Sequence, residues 1–248
     1  MAAEQRSFAG RVALVTGASG GIGGAISRRL AADGASVAVH YRSGTEAAER
    51  LVEEIRAQGA ETAAFQADLA QADRAEALIG EVEDRLGPVD ILIANAGLSS
   101  PAPLEEIDAE SLEQALAVNL RAPFLQARRV LPHMREQRWG RILFSSSVAA
   151  FTGGLVGPHY AASKAGLHGL LHFIASRVAG EGVTVNAIAP ALIENTTMLP
   201  GDPGDLAQRI PVGRLGRPGE VADLALAILG NGYVTSQVVG IDGGMYPR

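Results

Sequence analysis

The sequence predicts an α/β protein in which a doubly wound parallel sheet of about seven strands is covered by helices on both faces. Short apolar runs rich in β-branched residues alternate with longer segments of helical periodicity. The short runs are almost continuously apolar, as is typical of strands covered on both sides. No linker, repeat or low-complexity tract divides the 248 residues, so we expect residues 1–248 to form a single domain.

The helices are expected where apolar residues return every third or fourth position. In Glu46–Ala57, for example, Leu51, Val52 and Ile55 share one side of a helix, while glutamate and arginine face the solvent. Strands that alternate with such helices are typical of βαβ units. The expected strands are Val12–Thr16, Ser36–Tyr41, Thr62–Gln66, Val89–Ala94, Arg141–Ser145, Val183–Ile188 and Val238–Ile241.

The composition excludes several classes of site and partner. Cysteine is absent, which excludes disulfides, thiolate metal sites and a cysteine nucleophile. The formal net charge of −6 argues against a nucleic-acid partner, which normally meets a basic surface. No run reaches the roughly 18 apolar residues of a membrane span, and residues 1–7 do not resemble a secretory signal, so we expect a cytoplasmic protein without a membrane partner. Of the 21 basic residues, only Lys164 is a lysine.

A glycine-rich turn connects the first predicted strand to an apolar helix that includes Ala25–Ala32. Gly17 can turn the chain sharply, Gly21 allows a pyrophosphate to approach the backbone, and Gly23 lets helix and strand pack closely. The helix N-terminus then offers free N–H groups to the phosphates. The spacing Gly-x3-Gly-x-Gly differs from the usual Gly-x-Gly-x2-Gly, but its place between strand and helix predicts a dinucleotide site.

The end of the second predicted strand indicates which dinucleotide is bound. An NAD site usually has Asp or Glu there, whereas this chain has Arg42 and Ser43, which could hold the 2′-phosphate of NADP(H). The alternative is a solvated arginine at a strand end. After the third strand, Asp68 and Leu69 are candidates for contact with the adenine, and helix capping is the alternative for Asp68.

Tyr160 and Lys164 form the most informative pair of polar residues. At positions i and i+4 of a helix, the two side chains lie on one face. A nearby ammonium favours the phenolate and makes the phenol proton easier to transfer. Ser147 follows the fifth predicted strand, where its hydroxyl could bind a carbonyl oxygen that Tyr160 protonates.

Together with Asn95-Ala96-Gly97, Asn119 and Asn186-x3-Pro190, these motifs resemble the short-chain dehydrogenase/reductase family over essentially the full length. The sequence is most similar to the 3-oxoacyl-[acyl-carrier-protein] reductase branch. The resemblance implies a Rossmann-type fold, NADPH-dependent reduction of a 3-oxoacyl thioester, and a homotetramer. Its interfaces would be the helices within 112–137 and 161–179 and the C-terminal strand.

The resemblance also implies a role for each matched residue. Tyr160 is the general acid and base, Lys164 binds the nicotinamide ribose and lowers the pKa of Tyr160, and Ser147 orients the substrate carbonyl. Asn119 holds a water that relays protons to Lys164. The implied cofactor contacts are Gly17, Ser19, Gly20, Gly21, Ile22, Gly23, Arg42, Ser43, Asp68, Leu69, Asn95, Ala96, Gly97, Tyr160, Lys164, Pro190 and Ile193.

Several positions depart from the family pattern. Gly20 stands where many NADPH-dependent members have a basic residue, which leaves Arg42 to hold the phosphate largely alone. Glu181 stands where members that use acyl carrier protein tend to have a basic residue, so an acidic carrier would be repelled there. A CoA thioester or a small ketone is therefore an alternative substrate. Oxidation of a secondary alcohol or sugar and a non-catalytic dinucleotide sensor are alternative functions.

Other signals are weaker. The longest irregular segment, Pro190–Gly219, follows the sixth predicted strand and is expected to be a substrate lid, with a mobile surface loop as the alternative. His168 and His172 have a zinc-binding spacing but no third ligand, so we expect no metal site. His159 is expected to line the pocket. The arginine cluster within 128–141 is interpreted as a solvated helix face, with a docking patch as the alternative.

Overall fold

Within the described part of the chain, seven parallel strands form one sheet in the order β3-β2-β1-β4-β5-β6-β7, which confirms the predicted fold class. The computed structural model describes residues 8–196, 199 and 201–246. The strands are β1 (Val12–Val15), β2 (Ser36–Tyr41), β3 (Thr62–Gln66), β4 (Ile91–Ala94), β5 (Gly140–Ser145), β6 (Val183–Pro190) and β7 (Val238–Ile241). The α-helices are α1 (Gly21–Ala32), α2 (Thr45–Ala57), α3 (Ala72–Leu86), α4 (Ala109–Leu116), α5 (Ala122–Glu136), α6 (Ala149–Thr152), α7 (Pro158–Val178), α8 (Pro203–Gln208) and α9 (Pro218–Gly230).

Three strands have the expected bounds, and four differ by one or two residues at one end. β6 extends two residues beyond the expected end because β7 pairs with it as far as Ile241, opposite Pro190. Asn186 strengthens this edge. Its amide donates to the Val234 carbonyl at 2.8 Å and accepts from the Gln237 backbone at 3.0 Å. The Asn186-x3-Pro190 motif therefore attaches the last strand to the sheet.

The helices pack on the two faces of the sheet and bury a separate apolar cluster on each. Leu78 of α3, Val130 of α5 and Leu171 of α7 are completely buried on one face. Ile26 of α1 and Ile55 of α2 are completely buried on the other. Each such side chain stabilises the fold by about 1.5–3 kcal/mol relative to an exposed position. No helix of the described ranges is long and apolar enough to cross a membrane.

The strand order places a crevice at one edge of the sheet. The chain moves outward from β1 to β2 and β3, and then returns to place β4 on the other side of β1. The helices that follow β1 and β4 therefore diverge to opposite faces. Ligands of open α/β sheets bind at the carboxyl ends of the strands beside such a reversal.

The helical segment within residues 112–137 is divided by a wider turn. The segment Ala117–Arg121 is π-helical and separates α4 from α5. Pro123 contributes to the division because it has no N–H to donate to the Asn119 carbonyl four residues earlier. Such π-turns are frequent at functional sites. Asn119 lies in the middle of this one.

The segment expected to be an irregular lid is more structured than predicted. Residue 190 belongs to β6, α8 lies within the segment, and α9 begins at Pro218. Ile193 forms an isolated parallel bridge with Gly216, which closes the base of the excursion. The prolines misled the prediction because Pro203 and Pro218 occupy first turns of helices, where a missing N–H costs nothing. Residues 197, 198 and 200 lie outside the described residues.

His40 joins the carboxyl ends of the first three strands. Its Nδ1 accepts from the Gly17 N–H at 3.1 Å, so the proton resides on Nε2, which donates to the Ala67 carbonyl at 3.1 Å. The His40 carbonyl also accepts from the Ala18 N–H at 2.8 Å. The imidazole is 2% exposed, and burial lowers its pKa from 6.5 to about 4. The contact with the Gly17 N–H therefore requires the neutral ring, because a protonated Nδ1 cannot accept a hydrogen bond.

We predict that His40 makes the fold acid-sensitive. The folded pKa is below the unfolded value, so the unfolded chain binds the extra proton as the pH falls from about 6.5 to 4, and stability is lost over that window. Between pH 7 and pH 5 the loss should be about 2 kcal/mol. Urea unfolding of wild type and His40→Gln at both pH values measures it. The carboxylates titrate alike in both proteins, so their effect on the free energy of unfolding cancels in the comparison. If wild type and His40→Gln lose equal stability between pH 7 and pH 5, His40 is not the cause of the acid sensitivity.

Candidate active site

A cleft of about 850 Å³ opens at the carboxyl edge of the sheet and gathers most of the residues singled out from the sequence. They come from the ends of six strands, from α1 and from α7. Those that line the cleft are Gly17, Ser19, Gly20, Gly21, Ile22, Gly23, Arg42, Ser43, Leu69, Asn95, Ala96, Gly97, Ser147, Tyr160, Lys164, Pro190 and Ile193.

The glycine turn has no room for side chains at the predicted positions. Gly17 has a φ of +65°, which L side chains rarely adopt. A Cβ at Gly23 would lie 2.5 Å from the Gly17 carbonyl oxygen. A Cβ at Gly21 would lie 2.5 Å from the carbonyl oxygen of Asn195, in the segment after β6. Gly21 therefore also accommodates a neighbouring loop, a contact that the sequence pattern did not indicate.

The N-terminus of α1 is available to an anion. Gly20 precedes the helix without a side-chain cap, and the first turn contains no acidic residue. The first N–H groups of a helix have no partner within it, and they lie at the positive end of its dipole. A diphosphate fits this cradle because its oxygens would supply the missing acceptors.

Thr16 and Asn95 attach the glycine turn to the end of β4. The Thr16 hydroxyl accepts from the backbone N–H groups of Asn95 and Ala96, at 3.0 and 2.9 Å. In return, Asn95 Nδ2 donates to the Thr16 carbonyl at 3.0 Å. Asn95-Ala96-Gly97 thus supports the cleft floor, in the place where the resemblance put it.

Arg42 and Ser43 lie at one end of the cleft, beside the start of α2. Both are exposed, and the N-terminus of α2 at Gly44 has no side-chain cap. A Cβ at Gly44 would be 3.1 Å from Ser19 Oγ, so the hydroxyl of Ser19 faces the same place. A guanidinium, hydroxyl groups and free helix N–H groups together form a polar setting that suits a phosphate.

Asp68 does not line the cleft, although it was expected to contact the cofactor. Its carboxylate accepts from the Ala70 N–H at 3.0 Å and from Gln71 Nε2 at 3.4 Å, so it closes the turn that leads into α3. Asp68 does not cap α3 either, because the N-cap residue of that helix is Gln71, so the structure places it in neither expected role. Leu69, its neighbour, does line the cleft.

The side chain of Asn119 is also directed elsewhere. It is completely buried, accepts from the Leu98 N–H at 2.7 Å, and donates to the Leu98 carbonyl at 2.9 Å and to Ser163 Oγ at 3.0 Å. Both amide hydrogens are thus committed to protein groups. The side chain connects the π-turn to α7, so neither amide hydrogen of Asn119 is left to donate to a water.

Ser147, Tyr160 and Lys164 form the polar centre of the cleft. Ser147 Oγ accepts from the Ala149 N–H at 3.1 Å, and its hydroxyl is near enough to Tyr160 to affect the pKa of the phenol. Lys164 Nζ donates to the Ser145 carbonyl at 2.7 Å and lies 5.8 Å from the centroid of the Tyr160 ring. A carbonyl oxygen placed between the two hydroxyls could accept a hydrogen bond from each.

Burial decides the ionisation of this centre. It lowers the pKa of Lys164 from 10.5 to about 8. It raises the pKa of Tyr160, although the hydroxyl of Ser147 opposes the rise. The expectation that Lys164 lowers the pKa of Tyr160 is therefore not met here. The causes of the Tyr160 shift are burial and Ser147, and Lys164 Nζ is directed at the Ser145 carbonyl.

The remaining histidines have structural surroundings. His159 does not line the cleft as expected. It is 3% exposed, and neither ring nitrogen has a hydrogen-bond partner among the described residues. His168 Nε2 lies 2.7 Å from Ser146 Oγ, and His172 Nδ1 lies 2.9 Å from Ser236 Oγ. The described residues contain no cluster of three or more groups able to hold a metal ion.

The cleft also contains residues that sequence reasoning missed. His40 is one, and a histidine within an otherwise apolar strand was its only signal. The Tyr160 side of the cleft is mostly apolar, and Arg209, after α8, is its one charged addition among the described residues. No local pattern indicates Arg209, because its place depends on the folding of the whole excursion. The apolar additions include Leu98, Val118, Leu155, Leu192, Leu199 and Met245.

The arginine cluster on α5 is largely neutralised. Arg128 pairs with Glu76, Arg129 pairs with Glu83, and Arg135 pairs with Glu181. The pairing with Arg135 holds the pKa of Glu181 below its usual range. This surface fits the interpretation as a solvated helix face. Arg141, which that interpretation also included, is instead buried in β5 and donates to the Leu229 carbonyl. The pairing of Arg135 with Glu181 also corrects the treatment of Glu181 as a free negative charge.

Comparisons with known proteins agree with this geometry. The family model for short chain dehydrogenases matches residues 11–203. Over 239 residues the chain is 37% identical to the 3-oxoacyl-[acyl-carrier-protein] reductase FabG of Staphylococcus epidermidis. The aligned residues make up 94% of this chain and 98% of that protein. A blue fluorescent protein from a metagenomic library, solved in complex with NADPH, has a TM-score of 0.91 and 35% identity over 97% of this chain and 100% of that chain. A short chain dehydrogenase from Burkholderia cenocepacia in complex with NADP has a TM-score of 0.88 and 33% identity, covering 96% and 99%.

The similarity extends well beyond the motifs that first indicated it. The family match alone spans β1 to β6, with the glycine turn, Ser147, Tyr160 and Lys164 inside it. The solved structures extend the match to more than nine-tenths of the chain. The chain belongs to the short chain dehydrogenase family.

Proposed function

We propose that this protein is an NADPH-dependent carbonyl reductase that converts a 3-oxoacyl thioester to the 3-hydroxyacyl form. The observation that carries the proposal is that Ser147 and Tyr160 line one cleft together with buried Lys164 and the glycine turn. Two hydroxyls and an ammonium suit a carbonyl oxygen that gains negative charge during reduction.

In the proposed mechanism, Tyr160 donates its proton to the carbonyl oxygen. Bound NADPH would supply the hydride to the carbonyl carbon. Ser147 is preorganised for its part, because the Ala149 N–H occupies one lone pair of its oxygen and leaves the hydroxyl proton to point at the substrate. Burial keeps Tyr160 protonated at neutral pH, so it begins the reaction as an acid.

Lys164 and Asn119 would support this proton transfer indirectly, through the phenolate and through a relay water. Lys164 is held by the Ser145 carbonyl, from where its ammonium can bind a ribose hydroxyl and favour the phenolate that forms. The Asn119 carbonyl lacks the usual helical donor because residue 123 is proline. We propose that this carbonyl, rather than the Asn119 side chain, accepts from the relay water.

The substrate is proposed from the relatives and from the lining of the cleft. A relative of nearly equal length is named as a reductase of 3-oxoacyl groups on acyl carrier protein. The apolar side chains on the Tyr160 side, such as Leu98 and Leu155, suit an acyl chain. Pairing of Glu181 with Arg135 removes one objection to an acidic carrier. Comparing acetoacetyl-CoA with small ketones, secondary alcohols and sugars separates this proposal from a small-molecule dehydrogenase.

We also propose a homotetramer. Leu112 of α4, Phe124 of α5 and Phe173 of α7 are exposed on the helices where the family resemblance places an interface. Tyr233, which precedes the edge strand β7, is 97% exposed. Contacts between copies would cover this apolar area.

We predict that Tyr160→Phe lowers kcat for ketone reduction by at least a hundredfold, because the variant has no proton to donate. NADPH binding, measured by fluorescence titration, should change by less than about threefold. Tyr233→Phe is the matched control, since that phenol is exposed and lies outside the cleft lining. A Tyr160→Phe variant within tenfold of wild-type kcat would refute the assignment.

We predict that NADPH binds at least tenfold tighter than NADH, and that Arg42→Gln removes most of this preference. The reason is that only NADPH carries a 2′-phosphate to meet the guanidinium. Dissociation constants from fluorescence titration test it. Arg50→Gln is the control, because Arg50 is an exposed arginine of α2 that pairs with Glu46. Equal wild-type constants for the two cofactors would exclude the role given to Arg42.

Light scattering should give a mass near four times 25.6 kDa, about 102 kDa. Phe173→Glu should lower that mass, because a charge would be buried at the proposed interface. A monomeric mass for the wild-type protein at micromolar concentration would contradict the tetramer.

A further inference from the structure

The cleft is positively charged although the chain as a whole is acidic. Its described lining contains three cationic side chains, Arg42, Lys164 and Arg209, and no carboxylate, whereas the formal net charge of the chain is −6. A cleft lined by one sign of charge concentrates ligands of the opposite sign. Arg42 and Lys164 already have partners in the proposed function, and Arg209 has none.

Arg209 lies at the substrate end of the cleft. It is three residues before Val212, whose N–H donates to the Gly243 carbonyl at 3.1 Å. From there the chain reaches Met245, which also lines the cleft. The ring of Tyr246, the next residue, stacks on the ring of Phe151, and the two ring centroids are 5.6 Å apart. Phe151 lies four residues after Ser147. These contacts attach the Arg209 segment to the wall that carries Ser147.

Arg42 is at the other end. β2 leads into Arg42, and β6 leads into the excursion that contains Arg209. The two strands are four strand spacings apart in the sheet, about 19 Å. Arg42 therefore lies at the adenosine end of the proposed cofactor, and Arg209 belongs to the excursion that lines the cleft beyond β6.

The charge of Arg209 is available to a ligand. The side chain is exposed, and no carboxylate of the described residues forms an ion pair with it. Arg214, five residues later, differs because Glu220 neutralises it at 2.6 Å. An unpaired guanidinium beside a mostly apolar wall is suited to a phosphate or carboxylate on an otherwise apolar substrate.

We propose that Arg209 binds an anionic group of the substrate and so selects ketones that carry a phosphate or carboxylate over neutral ones. This inference rests on the proposed reductase activity. It assigns the apolar wall to the acyl chain and the guanidinium to the charged end. The phosphates of a pantetheine thioester and the carboxylate of an oxo acid are the two sources of such a group.

The experiment compares KM values of wild type, Arg209→Gln and Arg209→Lys with NADPH as reductant. Acetoacetyl-CoA carries phosphates, and the N-acetylcysteamine thioester of acetoacetate is its neutral counterpart. A second pair, 5-oxohexanoate and its methyl ester, tests the carboxylate. Arg214→Gln is the matched control. Arg209→Gln should raise KM at least tenfold for one anionic substrate and less than twofold for its neutral counterpart. Arg209→Lys keeps the positive charge and should reverse part of the KM increase for the anionic substrate.

Salt provides a readout that a structural role would not alter. Wild-type KM for the anionic substrate should rise with ionic strength, and Arg209→Gln should lose most of that dependence. Equal KM changes for charged and neutral substrates, or weaker NADPH binding by Arg209→Gln, would overturn the inference and leave the reductase standing. If wild type reduces none of the four substrates, the proposed function fails and the inference fails with it.

Discussion

The close approach of α1 to the end of β1 is the constraint on which the cleft depends. Backbone atoms of the turn occupy the space where a side chain at Gly23 would lie, and Asn95 Nδ2 is only 2.7 Å from that position. With no side chains between them, the ends of β1 and β4 can share the Thr16 and Asn95 hydrogen bonds, and His40 can reach Gly17 from β2. The floor of the cleft is therefore made largely of backbone, which the side chains of Thr16, Asn95 and His40 hold in place.

The chemical end is organised differently, by burial of ionisable groups. Removal from water shifts the pKa of Lys164 down and that of Tyr160 up, so both side chains are displaced toward their neutral forms. Such a site is poised to respond to a ligand. A carbonyl oxygen or an anion that enters the cleft changes the balance between burial and charge, and the proton of Tyr160 is the group that can move in response.

Sequence reasoning predicted the features that depend on neighbouring residues. Continuous apolar runs placed all seven strands within two residues, and the i, i+4 spacing placed Tyr160 beside Lys164. It was less successful where a side chain had several partners within reach. Asp68 and Asn119 bind backbone groups near them, and the charge of Glu181 is cancelled by Arg135, 46 residues earlier in the chain. Arg209 was missed because only the tertiary course of the chain brings it to the cleft.

The presence of a single lysine has a consequence for chemical labelling. Any reagent that acylates or forms an imine with a lysine side chain of this chain can modify only Lys164. With a pKa of about 8, about a tenth of its amine is neutral and nucleophilic at pH 7, far more than for an ordinary lysine. Because the amine is buried in the cleft, a ligand that fills the cleft would shield it. Labelling at Lys164, located by peptide mapping because an α-amino group reacts with the same reagents, thus reports occupancy of the cleft.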